Sequence, residues 1–324
     1  MPPLVTVLTC TFNASRYIAE TIESIQAQTF DDWEYLIVDD ASTDTTLEIV
    51  DRFAKEDPRI RVVRRHENGG PYVAANQGFD EAAGRYVARL DADDVCVPHR
   101  LETQIAFLRQ NPNLRACAAE VLMLDRSGAR PMGGTYPALP GALKWRFFFR
   151  IYMPSTTFME KGAWRDVGGF KELPLSQDLR MWCDLSRRHW LGAVSEPLVY
   201  WRVHDEQLSS TRFELQQQLA TDAMKDHIRE LTGESWTDED IGRLRSIGIR
   251  ALRLREGLDV IRRWEAMWRA DDSLSVAERR ELVALTRRLR RQHARTIVRA
   301  EFAARATGRA LLRIRSELKR RVRH

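Results

Sequence analysis

The first ninety residues alternate between two hydrophobic periods. "LVTVLTC" (residues 4–10) is a β-branched apolar run suited to a buried strand. In "SRYIAETIESIQAQ" the side chains of Ile18, Ile22 and Ile25 recur three and four residues apart, which puts them on one face of a helix. The beat then repeats. "WEYLIVDD" predicts a second strand and "TTLEIVDRFAKE" a second amphipathic helix, with Ser42 placed to cap it. "RIRVVRR" predicts strand three, "PYVAANQGFDEAAG" helix three and "RYVARLDADD" strand four. Such alternation argues for parallel βαβ units, whose ligands sit beyond the C-terminal ends of the strands.

Past residue 112 the pattern is less regular. "LRACAAEVLMLD" predicts another strand, "GALKWRFFFRIYMPSTTFM" is rich in aromatics, and "EPLVYWRVHDEQLSS" reads as a strand running into a loop. From residue 213 onward Arg, Leu, Ala, Glu and Gln dominate and β-branched runs are few. We therefore divide the chain into an α/β unit over 1–212 and a helical, basic region over 213–324. No internal repeat is evident.

Charge sharpens that division. Residues 212–324 carry 27 Lys and Arg against 17 Asp and Glu, a balance of +10, whereas 1–211 carry 24 against 29, a balance of −5. No apolar run approaches the ~18–20 residues that cross a bilayer. The start, "MPPLVTVLTCTFN", does not read as a signal peptide. Cys10, Cys96, Cys117 and Cys183 lack CxxC spacing, which favours reduced thiols over a metal site or a disulfide scaffold. A cytoplasmic protein is the expectation.

Three polar clusters, "CTFN", "VDDAS" and "DADD", each fall at the C-terminal end of a predicted strand and would converge on one crevice. Asp91 and Asp93 project to the same side of an extended strand end. Two carboxylates so placed suit a divalent cation such as Mg²⁺, which binds one or two protein carboxylates together with substrate phosphates. The competing reading is a solvated acidic turn with Asp94 capping a helix. Asp40 can read a base edge or, like Ser42, merely cap the next helix. The glycines of "HENGGPYVAANQG" permit close backbone approach, and Asn68 and Asn76 offer polar reach. The segment matches neither GxGxxG nor GxxxxGK[ST], which counts against dinucleotide and P-loop folds.

Taken together, "VTVLTCTFN", "YIAETIESIQAQTFDDWEYLIVDDASTDTT", "NGGPYVAANQGFDEAAGRYVARLDADD" and "GGFKELPLSQDLRMWCDL" resemble family 2 glycosyltransferases of the GT-A fold, over about residues 3–205. The resemblance implies inverting transfer from a nucleotide-diphosphate sugar, a UDP-sugar by preference, with Mn²⁺ or Mg²⁺. It implies that Thr11 and Phe12 line the base pocket, that Asp40 reads the base, and that Asn68 lies near the nucleotide. Asp91 would face the ribose or the metal, and Asp93 would ligate the metal. His204 sits where relatives carry Arg-x-His and would touch the metal or diphosphate, or else lie on the surface. "SQDLRMW" makes Asp178 the implied catalytic base, with the reading that it merely caps its helix alongside. Gln177 replaces the family's usual acidic residue, and Ala75 stands where a basic residue is common. Phosphate contacts would then fall to residues such as Arg65 or Arg89. Trp145, Phe147, Phe148 and Phe149 offer either an acceptor platform or core, and Ser155 and Thr156 are further acceptor or sugar contacts.

Residues 291–324 hold 11 Lys and Arg against 2 acidic residues. Val298, Phe302, Ala306, Ala310, Ile314 and Leu318 form an apolar line beside them, as in an amphipathic basic helix. Packing on protein, peripheral contact with an anionic membrane at its inner face, and binding of an acidic polymer all stay open. Nucleic acid is not expected, since no recognised motif accompanies the charge. A homo-oligomer stays open too. The acceptor would be a saccharide or a lipid-linked hydroxyl, as in surface polysaccharide synthesis. The rivals are a nucleotidylyltransferase, whose Gly-rich signature is missing, and a catalytically silent nucleotide-binding scaffold on the same fold.

Overall fold

The computed structural model describes residues 1–131, 139–146, 154–173, 175–188, 190–204, 212–246 and 254–296. Four strands, β1 (Val5–Thr11), β2 (Trp33–Asp39), β3 (Ile60–Arg64) and β4 (Tyr86–Arg89), pair in parallel in the order β3-β2-β1-β4. The crossovers are α1 (Ile18–Gln26), α2 (Thr46–Glu56) and α3 (Pro71–Glu81). Ile18, Ile22 and Ile25 are fully buried, so the spacing that predicted α1 is also what holds it to the sheet. Each contributes about 1.5–3 kcal/mol relative to an exposed side chain. At α3, Pro71 occupies the first turn, where its missing N–H costs nothing. Gly70, at φ +83°, delivers the chain there in a conformation that only glycine reaches without strain.

One helix start differs from the expectation. The N-cap of α2 is Thr45, and Ser42 belongs to a turn ahead of the helix. The Ser42 N–H donates to Asp39 at 3.0 Å, while its hydroxyl accepts from the Asn13 N–H at 3.0 Å. A long-range partner has taken the oxygen that a local cap would have used.

The sheet continues past β4 with β5 (Val95–Cys96), β6 (Ala116–Asp125), β7 (Gly128–Pro131), β8 (Phe158–Glu160) and β9 (Leu191–Arg202). The full order is β3-β2-β1-β4-β8-β6-β9-β5, with β7 paired to β6. β8 is antiparallel to both β4 and β6, so the sheet is mixed. Around it lie α4 (Arg100–Gln110), α5 (Pro140–Arg146), a 3₁₀ turn (Pro154–Thr156), α6 (Lys161–Asp166) and α7 (Gln177–Arg187). The chain runs outward from β1 to β3 and returns to place β4 on the other side of β1. That reversal opens a crevice at the C-terminal ends of β1 and β4.

Beyond residue 212 the described chain is helical: α8 (Phe213–Thr232), α9 (Asp238–Arg245), α10 (Leu254–Arg269) and α11 (276–296). Met224, Ile228, Ile241, Trp264, Trp268 and Leu285 share one buried cluster with Leu8, Leu36, Val38 and Trp182 on one face of the sheet. The opposite face is covered by a separate cluster that includes the isoleucines of α1. Trp145 is core, and its indole N–H donates to Asp271 at 2.9 Å. Phe147, Phe148 and Phe149 lie outside the described residues, as does the basic stretch from Val298 to the end. Among the described residues no helix is long and apolar enough to cross a membrane.

The buried Lys144 ammonium also meets Asp271, at 2.7 Å, and donates to the Ser273 hydroxyl at 3.0 Å. Burial alone would raise the Asp271 carboxyl, but hydrogen bonds from Lys144, Ser273 and Trp145 hold it down at about 2. Its stabilising effect is therefore full above the unfolded carboxyl range and is lost as pH falls toward 2. Asp271→Ala removes the carboxylate that pairs with the buried ammonium and is expected to cost about 3–5 kcal/mol in denaturant unfolding. An unchanged midpoint would show that this pair does not fasten α5 to the helical region.

Candidate functional site

The "DADD" segment leaves β4 at the mouth of the crevice, and its three carboxylates meet three different environments. Asp91 pairs with the buried Arg89 guanidinium at 3.2 Å. Asp93 lies 2.8 Å from His204 Nε2, on the residues that follow β9. The His204 ring packs against Tyr17, with centroids 4.8 Å apart. Burial, then the neighbouring Asp91 charge, raises the Asp93 carboxyl, and His204 opposes them. Asp94 is wholly buried, so it does not cap a helix at the surface. It accepts the Arg202 N–H at 3.0 Å and the Ser155 hydroxyl, whose oxygen in turn accepts the Asp91 N–H at 3.1 Å. Burial, Asp93 and Asp91 push Asp94 well above the usual carboxyl range.

At the end of β1, Thr11 is buried and Phe12 is 48% exposed, an aromatic surface standing free at the crevice. Thr11 is in register with Asp39 of β2, the residue before Asp40. Asp40 is 4% exposed and both its oxygens are engaged. Oδ1 accepts from Arg65 Nε at 2.6 Å and the Gly69 N–H at 3.0 Å, and Oδ2 accepts the Gly70 N–H at 2.8 Å. Arg65 also donates to Gln77 at 2.7 Å. Asp40 thus clasps the loop that carries Asn68, whose side chain accepts the Gly70 N–H at 3.1 Å. Asn76 holds both backbone groups of Phe170 at 2.9 Å, and Ala75 is buried in the core.

Asp178 stands in the first turn of α7, behind Ser176 at φ +61°. It is half-buried. Burial raises its carboxyl, the Arg89 charge lowers it, and Asp91 raises it again. Arg89 in turn feels Asp91, Cys10 and Asp178, and its guanidinium lies over the Phe170 ring at 5.6 Å. The buried Arg89 cation pairs with the carboxylate after β4, and its charge also reaches the carboxylate opening α7. Among the described residues the non-glycine positions with positive φ are Asn13, Ala41 and Ser176. Each flanks a crevice residue, Phe12, Asp40 or Asp178, as strained backbone often does at functional sites.

Among the described residues, no three His, Cys, Asp or Glu side chains converge as a metal cage. The donor chemistry still fits a hard divalent cation. Asp91 and Asp93 bring carboxylate oxygens to the crevice mouth and His204 an imidazole, and such ions commonly complete their shell with substrate phosphate and water.

Comparison with known proteins is consistent with this geometry. Residues 6–151 match the glycosyl transferase family 2 profile. The putative glycosyltransferase EpsE of Bacillus subtilis is 32% identical over 204 residues, covering 61% of this chain and 72% of EpsE. The chain belongs to glycosyltransferase family 2. Among solved structures, S. aureus TarS 1–349 in complex with UDP-GlcNAc superposes with a TM-score of 0.59 at 17% identity, over 92% of both chains. The mannosyltransferase PcManGT of Pyrobaculum calidifontis, in complex with GDP-Man and Mn²⁺, gives 0.57 at 18% identity, over 93% of this chain and 86% of that one. These likenesses establish the GT-A fold. This family 2 glycosyltransferase adds residues that the sequence reading did not assign to the site: Tyr17 and Arg202, which surround His204, and Asp94, read only as a cap. Their partners lie far along the chain, and spacing alone does not show those contacts.

The clasp makes a measurable claim. Asp40→Ala removes the acceptor of two loop amides and of Arg65, at a cost of about 1–3 kcal/mol. Faster hydrogen exchange at Gly69 and Gly70 is expected, and unchanged protection there would show that Asp40 does not order the loop.

Proposed function

We propose that this glycosyltransferase is an inverting enzyme that takes a sugar from a nucleotide diphosphate, a UDP-sugar by preference. The acceptor is a hydroxyl of a saccharide or lipid-linked glycan. The observation that carries the reading is the buried Arg89–Asp91 pair after β4, at the donor side of the crevice, whose cation also acts electrostatically on Asp178, opening α7. In this reading Phe12 and Thr11 face the base, and Asp40 and Asn68 shape the loop beside the nucleotide.

Asp93 and His204 would hold Mn²⁺ or Mg²⁺, with Asp91 beside them. The cation, when bound, neutralises charge on the departing diphosphate. Asp178 acts on the other reactant. In a single displacement the acceptor oxygen bonds to the anomeric carbon as the bond from that carbon to the diphosphate oxygen breaks. A carboxylate oxygen of Asp178 takes the acceptor's proton, and general-base help of this kind contributes ~10²–10⁴-fold. The Arg89 charge favours the ionised form of Asp178, against burial and the Asp91 charge.

Thermal unfolding with UDP, GDP, TDP or CMP, each with Mn²⁺ or with EDTA, tests the donor reading. A ligand at 100 times its dissociation constant adds ~2.7 kcal/mol, or a few degrees in a chain of this size. A shift with UDP that requires Mn²⁺ is expected, and its absence with every nucleotide would overturn the reading. Asp178→Asn is expected to keep that shift while turnover falls about 10²–10⁴-fold. Because Asp178 must be ionised and burial raises its carboxyl, turnover should fall with decreasing pH at a value above the ordinary ~3.9 of aspartate. A rate–pH profile flat down to that value would remove Asp178 from the base role.

A further inference from the structure

We propose that Asp94 is a positioning residue for the cation site, fixing both the backbone of Asp91 and the chain end that carries His204. The inference rests on the proposed cation site and extends it to a residue that touches neither donor nor cation. Asp94 joins three segments distant in sequence. Its Oδ2 takes the hydroxyl of Ser155, in the 3₁₀ turn, and the Ser155 oxygen takes the Asp91 N–H at 3.1 Å. Its Oδ1 takes the Arg202 N–H at 3.0 Å, at the end of β9 and two residues before His204. Arg202 closes the ring, donating from Nε to the Asp93 carbonyl at 2.9 Å. Its guanidinium also pairs with Glu20 at 2.5 Å and lies over the Tyr17 ring, 5.0 Å from its centroid. Tyr17 is the ring against which His204 packs. The 2.8 Å approach of His204 to Asp93 is thus braced from the loop side and the strand side by one buried carboxylate.

The residue type follows from its partners. Both neighbours present donors, a hydroxyl and a backbone N–H, and a carboxylate offers an acceptor to each. An asparagine keeps one acceptor for Arg202, and the Ser155 hydroxyl can turn to accept from its amide. An alanine leaves two buried donors without partners.

The test measures Mn²⁺ binding to the full chain in the presence of saturating UDP, by loss of the free-ion electron paramagnetic resonance signal. It compares wild type, Asp94→Ala, Asp94→Asn, Ser155→Ala and a control, Leu285→Ala, which opens a cavity in the helical region. Asp94→Ala is expected to weaken Mn²⁺ binding about 10–100-fold, the usual effect of losing a group that orients metal ligands. Asp94→Asn should recover most of the affinity, and Ser155→Ala should weaken it in the same direction. Leu285→Ala should lower the melting temperature and leave Mn²⁺ affinity at the wild-type value. Equal losses in Leu285→Ala and Asp94→Ala would assign the effect to general destabilisation and overturn the proposal. If Asp94→Ala does not fold, Ser155→Ala decides, and wild-type affinity there overturns it. Wild type that binds UDP equally with and without Mn²⁺ overturns the cation site itself. Wild type that needs Mn²⁺ while Asp94→Ala binds it unchanged overturns only the role of Asp94.

Discussion

Mutual repulsion among the carboxylates at the C-terminal strand ends is the constraint that the rest of the crevice answers. The topology gathers them, because β1, β2 and β4 are parallel neighbours whose C-terminal ends point the same way, Thr11 opposite Asp39 and the end of β4, Arg89, opposite Leu8. Two like charges 4 Å apart cost about 4 kcal/mol at an effective dielectric of 20. The fold meets that cost by giving each acid its own counter-group. Asp40 has Arg65 and two loop amides, Asp91 has Arg89, Asp93 has His204, and Asp94 has Ser155 with the Arg202 amide.

This division of partners separates acids engaged on both oxygens from acids left partly exposed. Asp40 and Asp94 are almost or wholly buried, with both oxygens engaged by the protein. The side chains of Asp91 and Asp93 retain 33% and 25% exposure, and among the described residues each meets a single side-chain partner. A cation can share the latter pair without stripping the crevice of its supports. The i and i+2 positions of the "DADD" segment thus stay accessible, while the last residue of the same segment turns inward.

What was legible in the sequence follows the range of the interaction that decides each feature. The isoleucines of α1 and the parallel strands are fixed by local periodicity and by burial, and both can be read from spacing. The convergence of three strand-end clusters follows from topology and was legible for the same reason. The cap expected at Ser42 failed because Asn13, 29 positions away, holds its oxygen. The inward turn of Asp94 depends on Ser155, 61 positions on, and the pairing of Asp93 with His204 spans 111 positions. Aspartate caps a turn, clasps a loop or faces a ligand with the same local sequence, and only the distant partner tells these apart. Resemblance to a family singled out His204 through its place in an Arg-x-His pattern, whereas the residues alone did not distinguish it from a surface histidine.

The helical region bears on Asp178 through packing. α7 buries Met181, Trp182 and Leu185 in the cluster that also holds Met224, Ile228 and Trp264. Its exposed side is tied to α8 by Arg180 with Asp226 at 2.5 Å and by Arg187 with Glu230 at 2.6 Å. His227 of α8 is fully buried, and burial holds its imidazole down at about 3, so it is neutral. A neutral ring can accept from Arg187 at Nδ1 and donate from Nε2 to the Lys144 carbonyl, contacts of 3.0 and 2.8 Å that join α7, α8 and α5. The Ser176 hydroxyl donates to the Gln216 carbonyl at 3.2 Å, fixing the strained residue from which α7 departs. Asp178 therefore takes its position from the helices through α7, while the Arg89 charge acts on it from the sheet. A carboxylate that must meet an acceptor hydroxyl within hydrogen-bond reach tolerates little error in that position. In the proposed mechanism the sheet sets where Asp91 and Asp93 stand, and the packing of α7 on the helices after residue 212 sets where Asp178 stands.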